Sequence, residues 1–538
     1  MAHHKFFRLI GVFILFFGIF LAFHFSIPEL WTKDDPYYHA RHSALIAETG
    51  NLTLVDPWIR FHILSYAPTD LWWGFHLLQA LGIKLFGVIA GVKVVAAFLS
   101  SIVFTVFYAI LVSAGVQKAF VWTTLYFASS SMFLLRLMLE RPHVLGIIFV
   151  PLCWWLAVQR RSILLYLLSV VYALSYEISP YLLGIFAFLA LCEYIIRRDT
   201  LHIRSLAISG LGIITGFLLH PNSFHYFYGS FVSYFQILWL RFSGVRLMVG
   251  DEVQQADISY LFLYNTATIV GFALALGAFF AVKSLRNAER SVIIFQLLTM
   301  SVVWFFVYLA VPRAVEYWIP FTWLFIVLTL DTLSKMPEWK LIHGKLQKLQ
   351  GSFLQYTVSI CIFGVFAWNL AQIIFEIPNR SSELYFHGVK EVAKWLKKET
   401  PKGSTVFFDS WGYWPMLFYY NQHNTYIMGM DPTFLYVYDP RMYWLWHHVV
   451  FSGEACDTAQ LCTDKSHERV QSIAPTIRNV FNASYVLVRK TDSEEKESFF
   501  NKHLQSQKKS FIKVFETDRY MVYAVKQTVI PAQAGIQR

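Results

Sequence analysis

Charge is scarce in this chain. Of its 538 residues only 15% are Asp, Glu, Lys or Arg, against 56% hydrophobic and 18% aromatic, and the mean hydropathy is +0.46. That balance excludes an ordinary soluble globular protein and points to a polytopic membrane protein. A P-loop and a Rossmann glycine pattern are both missing, which argues against ATP-driven work. No period of solenoid length is evident. The five cysteines match no zinc spacing. Cys153, Cys192 and Cys361 lie in apolar runs as small core residues, whereas Cys456 and Cys462 lie close together in a polar segment and could pair if that segment is outside the cytoplasm. The apolar run Leu9–Ile27 lacks a small-residue cleavage site and is too long for a signal-peptide core, so it reads as a retained first span.

What charge there is has a pattern. Candidate spans are 9–27, 93–114, 119–138, 143–159, 162–177, 179–195, 203–220, 265–283, 291–311, 315–332 and 356–375, each close to the length needed to cross roughly 30 Å of hydrocarbon. Leu71–Val88 carries His76 and Lys84 and reads as an interfacial helix anchored by Trp72 and Trp73. Lys5 and Arg8, Lys118, Arg160 with Arg161, Arg197 with Arg198, Lys283 with Arg286 and Arg290, and the Lys335–Lys348 stretch then fall on one side, which the positive-inside rule makes cytoplasmic. The net charge of +11 is explained by these loops, and nucleic acid is not an expected partner. About eleven spans place the chain after Ile377 outside. The expected division is a transmembrane part over 1–376, an extracytoplasmic mixed α/β domain over 377–527, and a disordered tail over 528–538.

The same count puts Asp34, Asp35, Glu140, Glu177, Asp251, Glu252 and Arg313 at external span ends or in external loops. Acids at span ends on one face point to a shared polar cavity. In Trp31–Arg41, WTKDDPYYHAR, one carboxylate could act as a general base or hold a divalent metal. Asp34 or Asp35 could equally cap a helix beginning at Pro36. Glu140 and His143, three residues apart, could share a helical face and serve as metal ligands with Asp35 as the third. Arg136, inside a span near Glu140, is its candidate partner. Arg313 suits an anionic headgroup, above all a phosphate, or pairs with Glu316.

After Ile377 the hydropathy drops. VKEVAKWLKKE (389–399) reads as an amphipathic helix, and 404–408, 485–488, 511–515 and 520–525 as strands. The aromatic stretch 407–432 suits either a binding edge for a peptide or sugar or the domain's own core.

Three of these elements together resemble the GT-C superfamily of polytopic glycosyltransferases, and within it the catalytic subunit of oligosaccharyltransferases. They are Asp35-Pro36-Tyr37-Tyr38-His39-Ala40-Arg41 behind the first span, the acidic motif around Glu140 and His143, and Trp411-Gly412-Tyr413-Trp414 early in the soluble domain. The family's WWDYG signature is degenerate here, reading Phe408-Asp409-Ser410-Trp411-Gly412, and the second motif is ExxH in place of DxD.

The resemblance implies an inverting transferase of a bacterial inner membrane that moves a sugar from a polyprenyl phosphate or pyrophosphate donor to an acceptor on the outer face. Asp35, with Asp34 and Glu140, would be catalytic. Arg313 and Arg41 would bind the donor phosphate. Glu252, Trp411, Ser410 and Tyr413 would meet the acceptor, a protein or else a lipid or glycan. Asp35, Glu140 and His143 would hold a divalent metal, Mg or Mn, if the enzyme uses one. A transporter or flippase is the rival class, but no inverted repeat and no charges concentrated at mid-bilayer support it.

Overall fold

The computed structural model describes residues 2–55, 57–197, 201–245, 247, 248, 250, 258–288, 290–339, 352–375, 388–460, 473–490 and 499–526. Asp251, Glu252, Cys462 and the tail from residue 528 lie outside them. The chain forms two compact units, each drawn from three segments: residues 1–31, 71–223 and 250–381 make the first, and residues 32–70, 224–249 and 382–538 the second.

The first unit is helical. Among the described residues six helices are long and apolar enough to cross a membrane: Phe6–Phe25, Val88–Ser113, Leu201–Leu219, Leu261–Ala281, Ser291–Ala310 and Pro312–Ser334. Shorter apolar helices cover His143–Val158, Ser162–Ser175 and Tyr181–Tyr194. A further apolar helix runs over Ser352–Phe375. Pro312–Ser334 is the central pole, with 94% of its apolar window buried inside the protein.

Small residues let the helices approach. A Cβ added at Gly216 would lie 2.6 Å from Ala173 Cβ, and one at Gly212 would lie 2.7 Å from Ser169 Cβ. Gly212 and Gly216 are spaced i, i+4, as are Ser169 and Ala173, so two flat stripes meet without a side chain between the backbones.

The span expected over 119–138 is broken into helices Ala119–Phe127 and Ser131–Leu137. Three consecutive serines explain the break, because Ser130 leaves the helical path and its Oγ accepts the Phe133 N–H at 3.0 Å. Opened backbone inside a membrane must be satisfied by protein. Here Asn369 Nδ2 donates to the Ala128 and Ser129 carbonyls at 3.2 and 3.1 Å. Ser130 Oγ donates to Asn265 Oδ1 at 2.6 Å, and Asn265 itself kinks the Ile258–Ala281 helix.

At the lysine- and arginine-rich loops, Asp331 ties the unit together. It accepts from the Gln117 amide at 2.8 Å and from Arg290 at 3.1 Å, and pairs with Lys335 at 2.5 Å.

The second unit is a five-stranded sheet in the order β2-β1-β3-β5-β4, with β1 Thr405–Phe408, β2 Thr425–Tyr426, β3 Ala483–Arg489, β4 Phe511–Glu516 and β5 Tyr520–Val525. β1 runs parallel to β2 and β3, while β5 lies antiparallel between β3 and β4. The four strands expected from alternation are present. β2 was not expected, because two residues carry no period. Helix Val389–Glu399 falls where its amphipathic pattern put it.

Two Asp-Pro pairs start the helices Pro432–Tyr438 and Pro440–Phe451, each Asp side chain accepting the amide two residues on at 2.8 Å. The pre-set proline φ and the carboxylate cap act together there. The segment after Trp31 belongs to this unit. Residues 58–61 run beside β2, with Tyr426 N–H donating to the Trp58 carbonyl at 2.7 Å and Arg60 N–H to the Tyr426 carbonyl at 2.9 Å. Cys456 is held in a disulfide.

Overpacking tests the helix stripes. Gly216→Ala is expected to destabilise the purified protein by about 1–3 kcal/mol. Gly184→Ala, where nothing lies within 4 Å of the new Cβ, is expected to be neutral or slightly stabilising. The readout is the thermal unfolding midpoint of both variants in one detergent.

Candidate active-site residues

In the helical unit Arg136, Glu140, Arg313 and Glu316 all stand at or beside helix ends. Glu140 stands between the Ser131–Leu137 and His143–Val158 helices with φ +42°, a left-handed conformation that costs a non-glycine residue energy and needs a surrounding hold. The hold is visible. Glu140 Oε1 lies 3.0 Å from His24 Nδ1, and both carboxylate oxygens accept the Trp31 N–H at 3.3 Å. Glu140 and His24 are fully buried in their side chains. Lys93, whose Nζ donates to the Ile27 carbonyl at 2.5 Å, bears electrostatically on the same carboxylate. Glu140 thus clamps the chain just after the first span, and the Trp31 amide it grips is three residues before Asp34.

Arg136 is not the partner of Glu140. It turns to Glu316, donating from Nε at 2.8 Å and Nη2 at 2.5 Å to a single oxygen. A guanidinium buried in an apolar helix needs a carboxylate of its own, and the start of the Val315–Ser334 helix supplies it. The left-handed turn at Glu140 also rotates that side chain away from His143, so the two do not share a helical face. His143 Nε2 lies 2.6 Å from the Arg136 carbonyl.

Arg313 completes the group. Its Nε is 3.6 Å from Glu316 Oε1, and its Nη2 donates to Tyr176 Oη at 2.8 Å. Its side chain stays 33% exposed, against 8% for Arg136 and 1% for Glu316. Two guanidiniums share the Glu316 carboxylate, and Arg313 is the more exposed of the two. Tyr176, Tyr181 and Tyr317 lie within its electrostatic reach. A half-exposed guanidinium held by a phenol and a carboxylate is a phosphate receptor in form.

The second unit holds the other expected residues. Helix Asp35–Thr49 begins with Pro36 in its first turn and has Asp34 at the cap position, but the Asp34 carboxylate makes no capping bond. It accepts the Thr32 hydroxyl at 2.6 Å, so of the two expected capping residues Asp34 does not cap through its side chain. Arg41 pairs with Glu48 at 2.9 Å. Tyr37 and Tyr38 are buried against the stretch that follows Gly412: Tyr37 meets the Tyr419 ring edge-on at 5.0 Å, and Tyr38 lies 5.0 Å from Trp414. Two of the three elements singled out in the sequence therefore pack on each other.

Tyr413 and Trp414 are buried, so these members of the 407–432 stretch are core. Ser410 precedes the short turn Trp411–Tyr413 with extended backbone. Asp409, the second residue of the degenerate signature, has its Oδ1 buried without a hydrogen-bond partner. Burial pushes its pKa up to about 7, against the pull of hydrogen bonds from the Arg489 amide and Tyr413 and of the Arg489 charge.

Several residues escaped sequence reasoning. His24 is the one whose signal was present, as a lone imidazole in an apolar run. The Arg136–Glu316 link spans 180 residues and has no local signature. The same is true of His42 and Asp70 in the second unit, 3.4 Å apart and buried, a donor pair of a kind that divalent ions accept. Glu140 and His143, two of the three expected metal ligands, turn to different partners, Glu140 to His24 and the Trp31 amide and His143 to the Arg136 carbonyl.

Glu316→Gln should take the carboxylate from the buried Arg136 and destabilise the protein by about 3–5 kcal/mol. The paired change Arg136→Met with Glu316→Leu should recover most of that loss, read as thermal midpoints. Asp409 gives a pH signature. Its folded pKa lies above its unfolded one, so its contribution to stability is full below about pH 4 and is lost as pH rises to about 7. Asp409→Asn should flatten that part of the stability–pH profile.

No protein-family model matches this chain, and no curated protein is similar to it in sequence. Solved structures are similar in fold. The Archaeoglobus fulgidus oligosaccharyltransferase in its apo form aligns over 90% of this chain and 70% of its own, with TM-score 0.61 and 11% identity. The same enzyme tethered through a disulfide to an acceptor peptide containing the NVT sequon aligns with TM-score 0.58 and 12% identity over the same shares. ArnT from Cupriavidus metallidurans bound to undecaprenyl phosphate aligns over 100% of both chains, with TM-score 0.54 and 12% identity. The chain shares the fold of these proteins, with a bundle of apolar helices and an α/β unit.

Proposed function

We propose that this protein is an inverting glycosyltransferase that takes a sugar from a polyprenyl phosphate or pyrophosphate and transfers it on the outer face of a bacterial inner membrane. The observation that carries the reading is Arg313: partly exposed, braced by Tyr176 and Glu316, and sharing that carboxylate with the buried Arg136. In the same fold, ArnT is known bound to undecaprenyl phosphate. The guanidinium would hold the leaving phosphate and stabilise the charge that grows on its oxygen as the bond to the sugar's anomeric carbon breaks. Asp35, with Asp34 adjacent in sequence, would take the proton of the acceptor's attacking oxygen or nitrogen, and attack opposite the departing phosphate inverts the anomeric carbon. Glu140 would act by positioning, since its grip on the Trp31 amide sets where the chain leading to these acids starts.

The loop charges favour the α/β unit being outside, and the disulfide at Cys456 fits an oxidising compartment. On the acceptor side, a protein acceptor follows from the oligosaccharyltransferase likeness. A lipid or glycan acceptor is the second reading. It is favoured by Ser410, which stands where the signature aspartate would be, and by the burial of Tyr413 inside the domain. Trp411 and Ser410 remain the acceptor-side candidates of the α/β unit.

Membranes supplied with a polyprenyl-linked labelled sugar test this directly. Wild type should release the sugar from its carrier, and Asp35→Ala should lower the rate by about 10²–10⁴-fold. Label recovered on protein supports the first acceptor reading, and label on lipid or glycan supports the second. Release at the wild-type rate by the Asp35 variant would overturn the assignment.

A further inference from the structure

At the opposite, lysine- and arginine-rich ends of the helical unit lies a cavity of about 300 Å³ that takes no part in the chemistry above. It is walled by helices Tyr181–Arg197, Ile258–Ala281 and Ser291–Ala310 and by Arg286 of the short helix Lys283–Asn287. Much of the wall is apolar, from Phe279, Phe280 and Phe295, and the last two are also 59% and 40% exposed on the helix surface. Exposed phenylalanines on spanning helices meet acyl chains, so the cavity opens where lipid tails run.

Its polar groups are few and of definite sign. Glu193 and Gln296 are 7% and 8% exposed. The Gln296 carboxamide oxygen has no hydrogen-bond partner. Glu193 accepts the His202 N–H at 3.2 Å through one oxygen and makes no ion pair among the described residues. A buried carboxylate and a buried carbonyl-type acceptor facing one cavity are costly to leave unmatched. What matches both is a cation with several N–H donors. Arg286, at the same cavity, suits a phosphodiester.

We propose that this cavity binds the headgroup of an ethanolamine phospholipid from the basic-side leaflet, its ammonium on Glu193 and Gln296 and its phosphate on Arg286, with an acyl chain along the phenylalanines. The three groups together discriminate. A glycerol headgroup has no cation for Glu193, a choline headgroup has the charge but no N–H to donate, and a polyprenyl phosphate brings a bare anion towards a buried carboxylate. The site is therefore distinct in chemistry from the donor site at Arg313.

The full-length protein reconstituted in nanodiscs of equal parts phosphatidylethanolamine, phosphatidylcholine and phosphatidylglycerol, then analysed for retained lipid by native mass spectrometry, tests the proposal. Wild type should retain the ethanolamine lipid about tenfold over the glycerol lipid, with choline between, as expected for loss of a charge-assisted hydrogen bond. Glu193→Gln and Gln296→Leu should each erase most of that preference, and Arg286→Gln should lower retention of all three. Equal retention of ethanolamine and glycerol lipids by wild type would overturn the proposal, as would an unchanged preference in folded Glu193→Gln. The wild-type headgroup series decides alone if the variants do not fold.

Discussion

The contact on which the helical unit's polar end depends is the buried pair of Arg136 and Glu316. Neither group belongs in an apolar helix alone, and each removes the reason the other would be excluded. Their union joins the helix broken after Ser129 to the central pole and uses up the Glu316 oxygen nearest Arg313. Arg313, one-third exposed, reaches the same carboxylate only at 3.6 Å and donates to a phenol. A fully neutralised arginine would offer an incoming phosphate little, and an unbraced one would be mobile. The arrangement lies between these extremes.

The α/β unit is organised around a different constraint, aromatic burial. The segment that leaves the first span does not wander as a loop. Its tyrosines pack on Trp414 and Tyr419, and residues 58–61 bond along β2. Residues that read as a catalytic motif in sequence are thereby fastened to the unit that carries the degenerate signature. The acids of Asp34-Asp35 ride at the start of a helix whose far side is core.

Legibility followed the range of the interaction concerned. Apolar runs, the amphipathic helix 389–399 and four strands are local patterns, and they emerged where their periods placed them. The break after Ser129 was missed because hydropathy averages over serines, and only Asn369 and Asn265, distant in sequence, make the opened backbone tolerable. Likewise Arg136 was assigned the nearest carboxylate in sequence, whereas a left-handed turn at Glu140 sends that carboxylate to His24. Arg313 beside Glu316 was readable because i, i+3 neighbours on adjoining turns meet. The aromatic stretch 407–432 was ambiguous for a physical reason, since the same rings suit a binding edge and a core. The structure buries Tyr413 and Trp414.

The most direct test of the account is the affinity of purified protein for a polyprenyl phosphate compared with the polyprenol of the same tail. The account predicts tighter binding of the phosphate by about tenfold or more, a difference that disappears in Arg313→Ala while the polyprenol's affinity is unchanged. Equal binding of the two lipids by wild type, or a phosphate preference that survives in Arg313→Ala, would contradict it.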